Sequence, residues 1–205
     1  MNTLIIRVDG NVDIGTGHFM RCLALAQYWQ KNDGEIYFVM SNPQSLEERI
    51  SLENMNLIKL EEVPASHEDA LKLIDIFNEL NGDWIIVDGY HFNSDYIDFI
   101  KQNDCKLLLF DDEGKLDNYS PDIILNQNLH AHNINYKSLK EYTKLLLGTD
   151  YVLLRTEFLN YLNHEKPIKK VATNILVTLG GSDKNNYSLK VLKSINNIND
   201  DSLNV

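Results

Sequence analysis

The sequence contains few cysteines and no long apolar run. Of its 205 residues two are cysteines, Cys22 and Cys105, and four are prolines. Two cysteines cannot build a disulfide framework or a four-cysteine zinc site, so a reducing cytoplasm is the simpler expectation. No stretch reaches the roughly 18–20 apolar residues of a membrane span, and the short apolar run at 4–6 meets Arg7 and Asp9 at once, unlike a signal peptide. These absences predict a soluble, cytoplasmic protein.

Positive charge is scarce as well. Lys and Arg number 19 against 30 Asp and Glu, which gives a net charge of −11. Such a surface repels phosphate backbones and anionic lipids, so general nucleic-acid or membrane binding is disfavoured. A local anion site made of backbone amides is still allowed. The hydrophobic fraction of 43% is ordinary for a globular protein and excludes a disordered chain.

Short apolar strands alternate with amphipathic helices along the chain. A parallel sheet covered by helices on both faces requires this alternation, so the pattern predicts an α/β fold with an unspecified strand order. The predicted strands are 3–8, 35–40, 57–60, 84–87, 106–110, 123–125 and 145–147, and the predicted helices are 18–31, 45–52, 66–80 and 94–102.

A polar segment around Pro167 separates this pattern from a further strand–helix unit. We predict a strand over 174–179, a turn over 180–183 and a helix over 185–195. The sequence therefore predicts two domains, 1–165 and 171–205. About 35 residues are too few for an independent α/β domain, so we expect the second domain to be incomplete in this chain.

Polar residues follow the predicted strands, at the edge where ligands bind in open parallel sheets. Strand ends also meet turns, which favour the same residue types for structural reasons. The residues concerned are Asp9, Ser41–Asn42, Asp88–His91, Asp111–Glu113 and Asn126–Asn128.

The sharpest motif is the loop Gly15-Thr16-Gly17 before the helix that starts near His18. Backbone amides at a helix N-terminus favour an anion such as a diphosphate. Met20 stands where a dinucleotide-binding G-x-G-x-x-G motif needs a small residue, and a Walker A lysine is absent. The positive helix end favours a neutral His18 imidazole, which can serve as a general base, although a capping or packing role is the alternative. Arg21 faces either an anion or solvent.

The sequence predicts neither a metal site nor a cofactor. The remaining histidines lack ligand spacing supported by carboxylates, and no G-x-S-x-G motif for a serine hydrolase is present. Both cysteines lie on apolar faces and are expected in the core. The histidines concerned are His67, His91, His130, His132 and His164.

Several segments, in order along the whole chain, match one enzyme family. They are Ile6–Asp9, Ile14–Cys22, Asp83–Tyr90, Phe110–Asp112, Leu125–Asn128, Leu147–Phe158 and Leu179–Asp183. On these motifs the chain resembles the UDP-2,4-diacetamido-2,4,6-trideoxy-β-L-altropyranose hydrolases of pseudaminic acid biosynthesis. It also resembles the related spore coat polysaccharide biosynthesis proteins.

The resemblance implies a GT-B-like fold, in which a Rossmann-like N-terminal domain and a nucleotide-binding C-terminal domain enclose the active site. It implies hydrolysis of a UDP-linked amino sugar, with water attacking the anomeric carbon and His18 acting as the base. The loop at 15–17 would lie near the diphosphate or the sugar. Further implied or candidate substrate contacts are Asp9, Arg21, Tyr90, Asn126 and Arg155, the last with a structural role as the alternative.

Two other functions remain open at this level. A GT-B glycosyltransferase would use the same cleft but would pass the sugar to an acceptor hydroxyl instead of water. A non-catalytic domain that needs a companion chain is the second alternative, and it would show self-association through an apolar edge near Leu176 and Val177.

Overall fold

The computed structural model describes residues 2–11, 15–43, 46–165, 167–180, 183, 185–198, 200 and 202–205. The motif residues Ile14, Gly181 and Ser182 lie outside this part of the chain. The strands are β1 (Thr3–Val8), β2 (Glu35–Ser41), β3 (Asn56–Leu60), β4 (Trp84–Asp88), β5 (Leu107–Phe110), β6 (Ile123–Asn126) and β7 (Lys144–Leu147). The α-helices are α1 (Gly17–Lys31), α2 (Glu47–Leu52), α3 (His67–Glu79), α4 (Ser94–Gln102), α5 (Thr156–Leu159) and α6 (Tyr187–Asn196), and short 3-10 helices lie at Ala131–Asn133 and Thr149–Tyr151.

The seven strands form one parallel sheet in the order β3-β2-β1-β4-β5-β6-β7. The first three strands extend the sheet from β1 to β3 in one direction, and β4 then lies on the other side of β1. This reversal opens a crevice outside the carboxyl ends of β1 and β4, where open α/β sheets bind ligands. Val8 pairs with Asp88, so the last residues of the two strands are level at the crevice.

Hydrophobic cores cover both faces of the sheet. On one face α1 and α2 pack Phe19 and Ile50 against strand residues such as Phe38. On the other face α3 and α4 contribute Leu73 and Ile97. Burial on two sides explains why the strands are continuously apolar rather than alternating.

Most predicted elements are confirmed, with small boundary shifts. Helix α4 has the predicted bounds, and α3 begins one residue after Ser66, whose side chain accepts a hydrogen bond from the Asp69 backbone amide at 3.1 Å. The short helix α5 was not predicted, because four residues give too little periodicity to recognise. The fold class is confirmed as α/β.

The predicted strand at 174–179 is not formed. Within the described residues this segment makes one isolated bridge, from Asn174 to Asn204. A strand needs a neighbour for its backbone hydrogen bonds, and in the described part of the chain none of the seven sheet strands pairs with this segment. Helix α6 forms where predicted, but apolar side chains such as Leu189 and Leu192 stay exposed. The division at 165–171 remains a prediction.

Candidate active site

The loop before α1 carries the predicted glycines at the crevice. Gly15 has φ +86°, a conformation that glycine adopts without strain, and its amide donates to the Asn11 carbonyl at 2.8 Å. Thr16 precedes α1 without a side-chain cap. A Cβ at position 15 or 17 would meet no atom within 4 Å, so there is open space beside both glycines.

His18 on the first turn of α1 pairs with the last residue of β4. Its Nδ1 lies 2.7 Å from Asp88 Oδ1, and Asp88 is fully buried while His18 is 8% exposed. Nδ1 also lies 3.2 Å from Arg21 Nη2, which only donates, but its shorter contact is with the ionised carboxylate, which only accepts. Nδ1 therefore carries the proton of the neutral imidazole. Nε2 then holds the lone pair. This is the arrangement by which a carboxylate orients a histidine base.

Arg21 fixes that carboxylate from the next turn of α1. Its Nε and Nη2 lie 2.6 Å from the two Asp88 oxygens, and its Nη1 lies 2.6 Å from Asp112 Oδ2. Burial alone would raise the pKa of Asp88, but hydrogen bonds from Arg21 and His18 outweigh it and lower that pKa. Asp88 therefore stays ionised. The guanidinium also lies over the Phe110 ring, 4.7 Å from its centroid.

Tyr90 stands beside the His18 ring at the mouth of the crevice. The two rings meet edge to face with centroids 4.6 Å apart, and Tyr90 is 66% exposed. Its hydroxyl lies 3.4 Å from Asp112 Oδ2. Burial and the Asp112 charge raise the pKa of the phenol, which stays protonated near neutral pH. The structure thus places an open aromatic ring next to the candidate base.

Asp9 follows the last residue of β1, and its carboxylate lies within a buried network of charged side chains. Its Oδ1 accepts from the Ser41 amide at 2.7 Å, and its Oδ2 lies 2.8 Å from Arg7 Nη1. Arg7 is fully buried and also pairs with fully buried Asp69 at 2.8 Å. Burial would raise the pKa of Asp9, but its contacts with His91 and Arg7 lower it overall.

Asn126 and Arg155 occupy different surroundings. Asn126 is fully buried, and its amide donates to Tyr136 Oη at 3.0 Å while its carbonyl oxygen accepts from the Asn128 amide at 3.1 Å. Arg155 donates to Glu157 at 2.7 Å. Arg155 lines a hollow of about 250 Å³ that also borders Gly17, Arg21 and Gln127. Substrate contacts by Asn126 and Arg155 stay predictions.

The sequence did not select Asp88, Asp112 or His91 as site residues by role. Sequence reasoning places Asp88, His91 and Asp112 among the polar residues that follow strands, and it excludes His91 as a metal ligand because no carboxylates support its spacing. In the structure Asp9 Oδ2 lies 3.2 Å from His91 Nε2. Knowing that β4 pairs with β1 would have supplied the signal, because the residues that follow two paired parallel strands lie together.

In the described residues no group of three or more His, Cys, Asp or Glu side chains is arranged to hold a metal ion. The two cysteines are buried, as expected. Burial raises the pKa of Cys105 to about 11 and, together with the Asp88 charge, raises the pKa of Cys22 well above its usual range. Within the same described ranges, no helix has the length and apolar character needed to cross a membrane.

Comparison with known proteins gives two distant relatives by sequence. No protein-family model matches the chain. It is 30% identical over 197 residues to an uncharacterized protein of Methanocaldococcus jannaschii, covering 94% of this chain and 39% of that protein. It is 27% identical over 197 residues to the spore coat polysaccharide biosynthesis protein SpsG of Bacillus subtilis, covering 95% of this chain and 55% of SpsG. The chain thus spans between two fifths and just over half of these relatives.

A solved structure gives the same result for the fold. The glycosyltransferase from Rickettsia africae matches 70% of this chain and 42% of its own, with a TM-score of 0.50 and 13% identity. The expected GT-B-like α/β fold is therefore confirmed over this share of the chain. The chain is distantly related to SpsG, and the narrower family resemblance stays a hypothesis.

Proposed function

We propose that this chain carries the catalytic base of a nucleotide-sugar hydrolase. The substrate class is a UDP-linked diacetamido-trideoxy sugar, and the setting is surface polysaccharide or pseudaminic acid biosynthesis in the cytoplasm. The observation that carries the proposal is the His18–Asp88 pair at the reversal of strand order, with Nδ1 and Oδ1 2.7 Å apart. The likeness to SpsG, a spore coat polysaccharide biosynthesis protein, and the glycosyltransferase fold support a nucleotide sugar as the broader substrate class.

The proposed reaction needs one proton transfer by the chain. Nε2 of His18 removes a proton from water while the oxygen attacks the anomeric carbon, and the carbon–oxygen bond to UDP breaks with its electron pair leaving on the diphosphate. Ionised Asp88 stabilises the imidazolium that forms, and Arg21 holds Asp88 in place. A positioned general base of this kind contributes roughly 10²–10⁴-fold in rate.

The remaining site residues receive binding roles in this proposal. The loop at 15–17 approaches the diphosphate or the sugar, and Tyr90 forms a wall of the sugar site. Arg155 completes the proposed ligand contacts, whereas Asp9, Arg21 and Asn126, whose polar groups are held within the chain, are proposed to keep the site in shape. Arg21 lies between two carboxylates, so the trio it forms with Asp88 and Asp112 has a net charge of −1 and offers a diphosphate little attraction. We therefore assign most phosphate contacts to the second domain, which we propose begins at 171.

A glycosyltransferase is the second candidate, favoured by the fold of the Rickettsia africae enzyme. The same base would then activate an acceptor hydroxyl rather than water. The two reactions differ in one requirement, because a hydrolase turns over in buffer alone whereas a transferase stalls without an acceptor.

A proton NMR time course tests the proposal on the natural full-length polypeptide. The UDP-diacetamido-trideoxy sugar is mixed with enzyme in buffer lacking any acceptor, beside His18→Asn and the control His164→Asn, which alters an exposed histidine. We expect UDP and free reducing sugar from the wild type and the control, and a loss of about 10²-fold or more in His18→Asn. No release from the wild type without acceptor would refute the hydrolase and favour the transferase.

A further inference from the structure

A second histidine, His91, lies at the same edge of the sheet and has no role in the reaction proposed above. An open depression of about 660 Å³ lies beside Tyr90. It is lined by Asp9, Asn11, Ser41, Asn42, Pro64, Tyr90 and His91. Tyr90 lines this depression together with His91, and the same exposed ring contacts His18.

His91 is held in one orientation by its neighbours. Its ring packs on Phe92 with centroids 4.1 Å apart. A Cβ at Gly89 would sit 2.7 Å from His91 Cε1, and Gly89 has φ +155°. A glycine is therefore required for the ring to lie here. The His91 side chain is 29% exposed, so part of it faces the depression.

The partner of His91 decides which ring nitrogen accepts hydrogen bonds. Nε2 lies 3.2 Å from Asp9 Oδ2 in a close contact without hydrogen-bond geometry, and Arg7 and the Ser41 amide keep that carboxylate ionised. The carboxylate oxygen would repel a lone pair on Nε2, so the neutral ring favours the proton on Nε2 and the lone pair on Nδ1. His18 has the reverse assignment, because Asp88 faces its Nδ1. Two buried carboxylates thus select opposite tautomers on one rim.

The charges around Arg7 limit the class of ligand that the depression can bind. Arg7 is buried with two carboxylates, Asp9 and Asp69, so the three groups together carry one net negative charge. This field disfavours phosphate or carboxylate groups in the depression. Ser41 and Asn42 add short polar side chains, and Tyr90 adds an exposed ring. An uncharged, hydroxyl-rich ligand fits this lining.

We propose that His91 is a specificity-determining residue of a glycosyl subsite, where its Nδ1 accepts a hydrogen bond from a sugar hydroxyl or amide N–H. This inference rests on the proposed function and deepens it by placing the uncharged sugar in the depression. The sugar comes either from the nucleotide sugar itself or from an acceptor, and both present the same donors.

Side-chain ¹⁵N NMR of the histidines tests the proposal directly. In the ligand-free full-length protein we expect His91 as the Nε2–H tautomer and His18 as the Nδ1–H tautomer. Titration then uses UDP-N-acetylglucosamine, N-acetylglucosamine and UDP as separate probes. Both sugars should shift the His91 Nδ1 resonance saturably, whereas UDP should leave it unchanged. A His91 Nδ1–H tautomer, or no saturable shift with either sugar, overturns the proposal.

Two substitutions separate hydrogen bonding from packing. His91→Leu removes the acceptor and should weaken binding of UDP-N-acetylglucosamine about tenfold, whereas UDP binding stays within about twofold. His91→Asn keeps a polar atom near the Nδ1 position and should recover most of the affinity, while His164→Asn serves as the control. Urea denaturation establishes that each variant is folded. Sugar affinity unchanged in His91→Leu would overturn the role of His91.

The arms of the experiment also identify the source of the sugar. If N-acetylglucosamine still shifts His91 in the presence of saturating UDP-N-acetylglucosamine, the depression binds an acceptor sugar. If it does not, the depression holds the glycosyl group of the nucleotide sugar. Either result supports the subsite. Sugar binding through His91 without UDP release from the diacetamido substrate would refute the hydrolase alone, and release with normal affinity in His91→Leu would refute this inference alone.

Discussion

Replacing Arg7 with methionine should lower the free energy of unfolding, because it leaves buried charges unpaired at the end of β1. Arg7 is fully buried and lies 2.8 Å from oxygens of both Asp9 and Asp69. Methionine fills similar space but leaves two carboxylates without their cation. Removing one partner of a buried ion pair costs about 3–5 kcal/mol, because the remaining charge stays desolvated. We expect Arg7→Met to lose stability in this range.

The urea midpoint should fall accordingly. With a slope of about 2 kcal/mol per molar urea, a loss of 3–5 kcal/mol lowers the midpoint by about 1.5–2.5 M. Arg49→Met is the matched control, because Arg49 pairs with Glu53 at 2.6 Å while 35% exposed. Exposed pairs contribute about 0–1 kcal/mol, so the control midpoint should move by about 0.5 M at most.

The loss should also depend on pH with a defined sign. In the wild type the pKa of Asp9 is lowered, so its contribution to stability is present at neutral pH and is lost as the pH falls through that pKa. Without Arg7, burial dominates and raises the pKa of Asp9, so the variant gains stability on protonation. The difference between the two proteins should narrow from pH 7 to pH 4. A constant difference, or a loss below 1 kcal/mol at pH 7, would refute this reasoning.

Three further predictions follow from the crevice. In thermal unfolding, Gly89→Ala should destabilise the fold by about 1–3 kcal/mol, because a Cβ there meets the His91 ring and φ is +155°. The control Gly17→Ala should be neutral or stabilising, because a Cβ there meets no atom. Asp88→Asn should lower kcat for UDP release far more than it changes KM, because the imidazolium loses its partner; equal kcat would contradict this. Cys22, buried and with a raised pKa, should resist a thiol reagent at pH 8 until urea is added.

The elements of the fold could be predicted from the sequence, because apolar strands and amphipathic helices have distinct periodicities. Helix α4 and the start of α3 illustrate this, since both follow cap residues, Asn93 and Ser66, that hydrogen-bond the first turn. Strand order could not be predicted, because it depends on which chain segments meet across the sheet. The missing strand at 174–179 shows the same limit: its apolar pattern is that of a strand, but pairing requires a neighbour.

The site was predicted in part for a related reason. The loop motif located His18 at a helix start, which is local information. Its partner Asp88 and the clamp by Arg21 depend on β4 lying beside β1, which is a tertiary fact. Asp9 shows the converse, because its position at a strand end was predicted but its carboxylate is turned inward to Arg7. Polar residues at strand ends indicate the edge of the sheet where a ligand binds. The hydrogen-bond and ion-pair partners of each residue decide whether its side chain faces that ligand.

The rim carries two clusters of the same composition, each with one arginine, two aspartates and one histidine. Arg21 gathers Asp88 and Asp112 beside His18, and a second arginine does the same for Asp9 beside His91. Buried ion pairs of this kind are often no more stabilising than apolar residues of the same volume, so stability alone does not explain two of them at one edge. In each cluster the arginine holds an ionised carboxylate next to one nitrogen of the histidine ring. A protonated nitrogen next to the carboxylate leaves the other ring nitrogen as the acceptor. Under the proposed function the acceptor of His18 would take a proton from water, and the acceptor of His91 would bind a sugar hydroxyl.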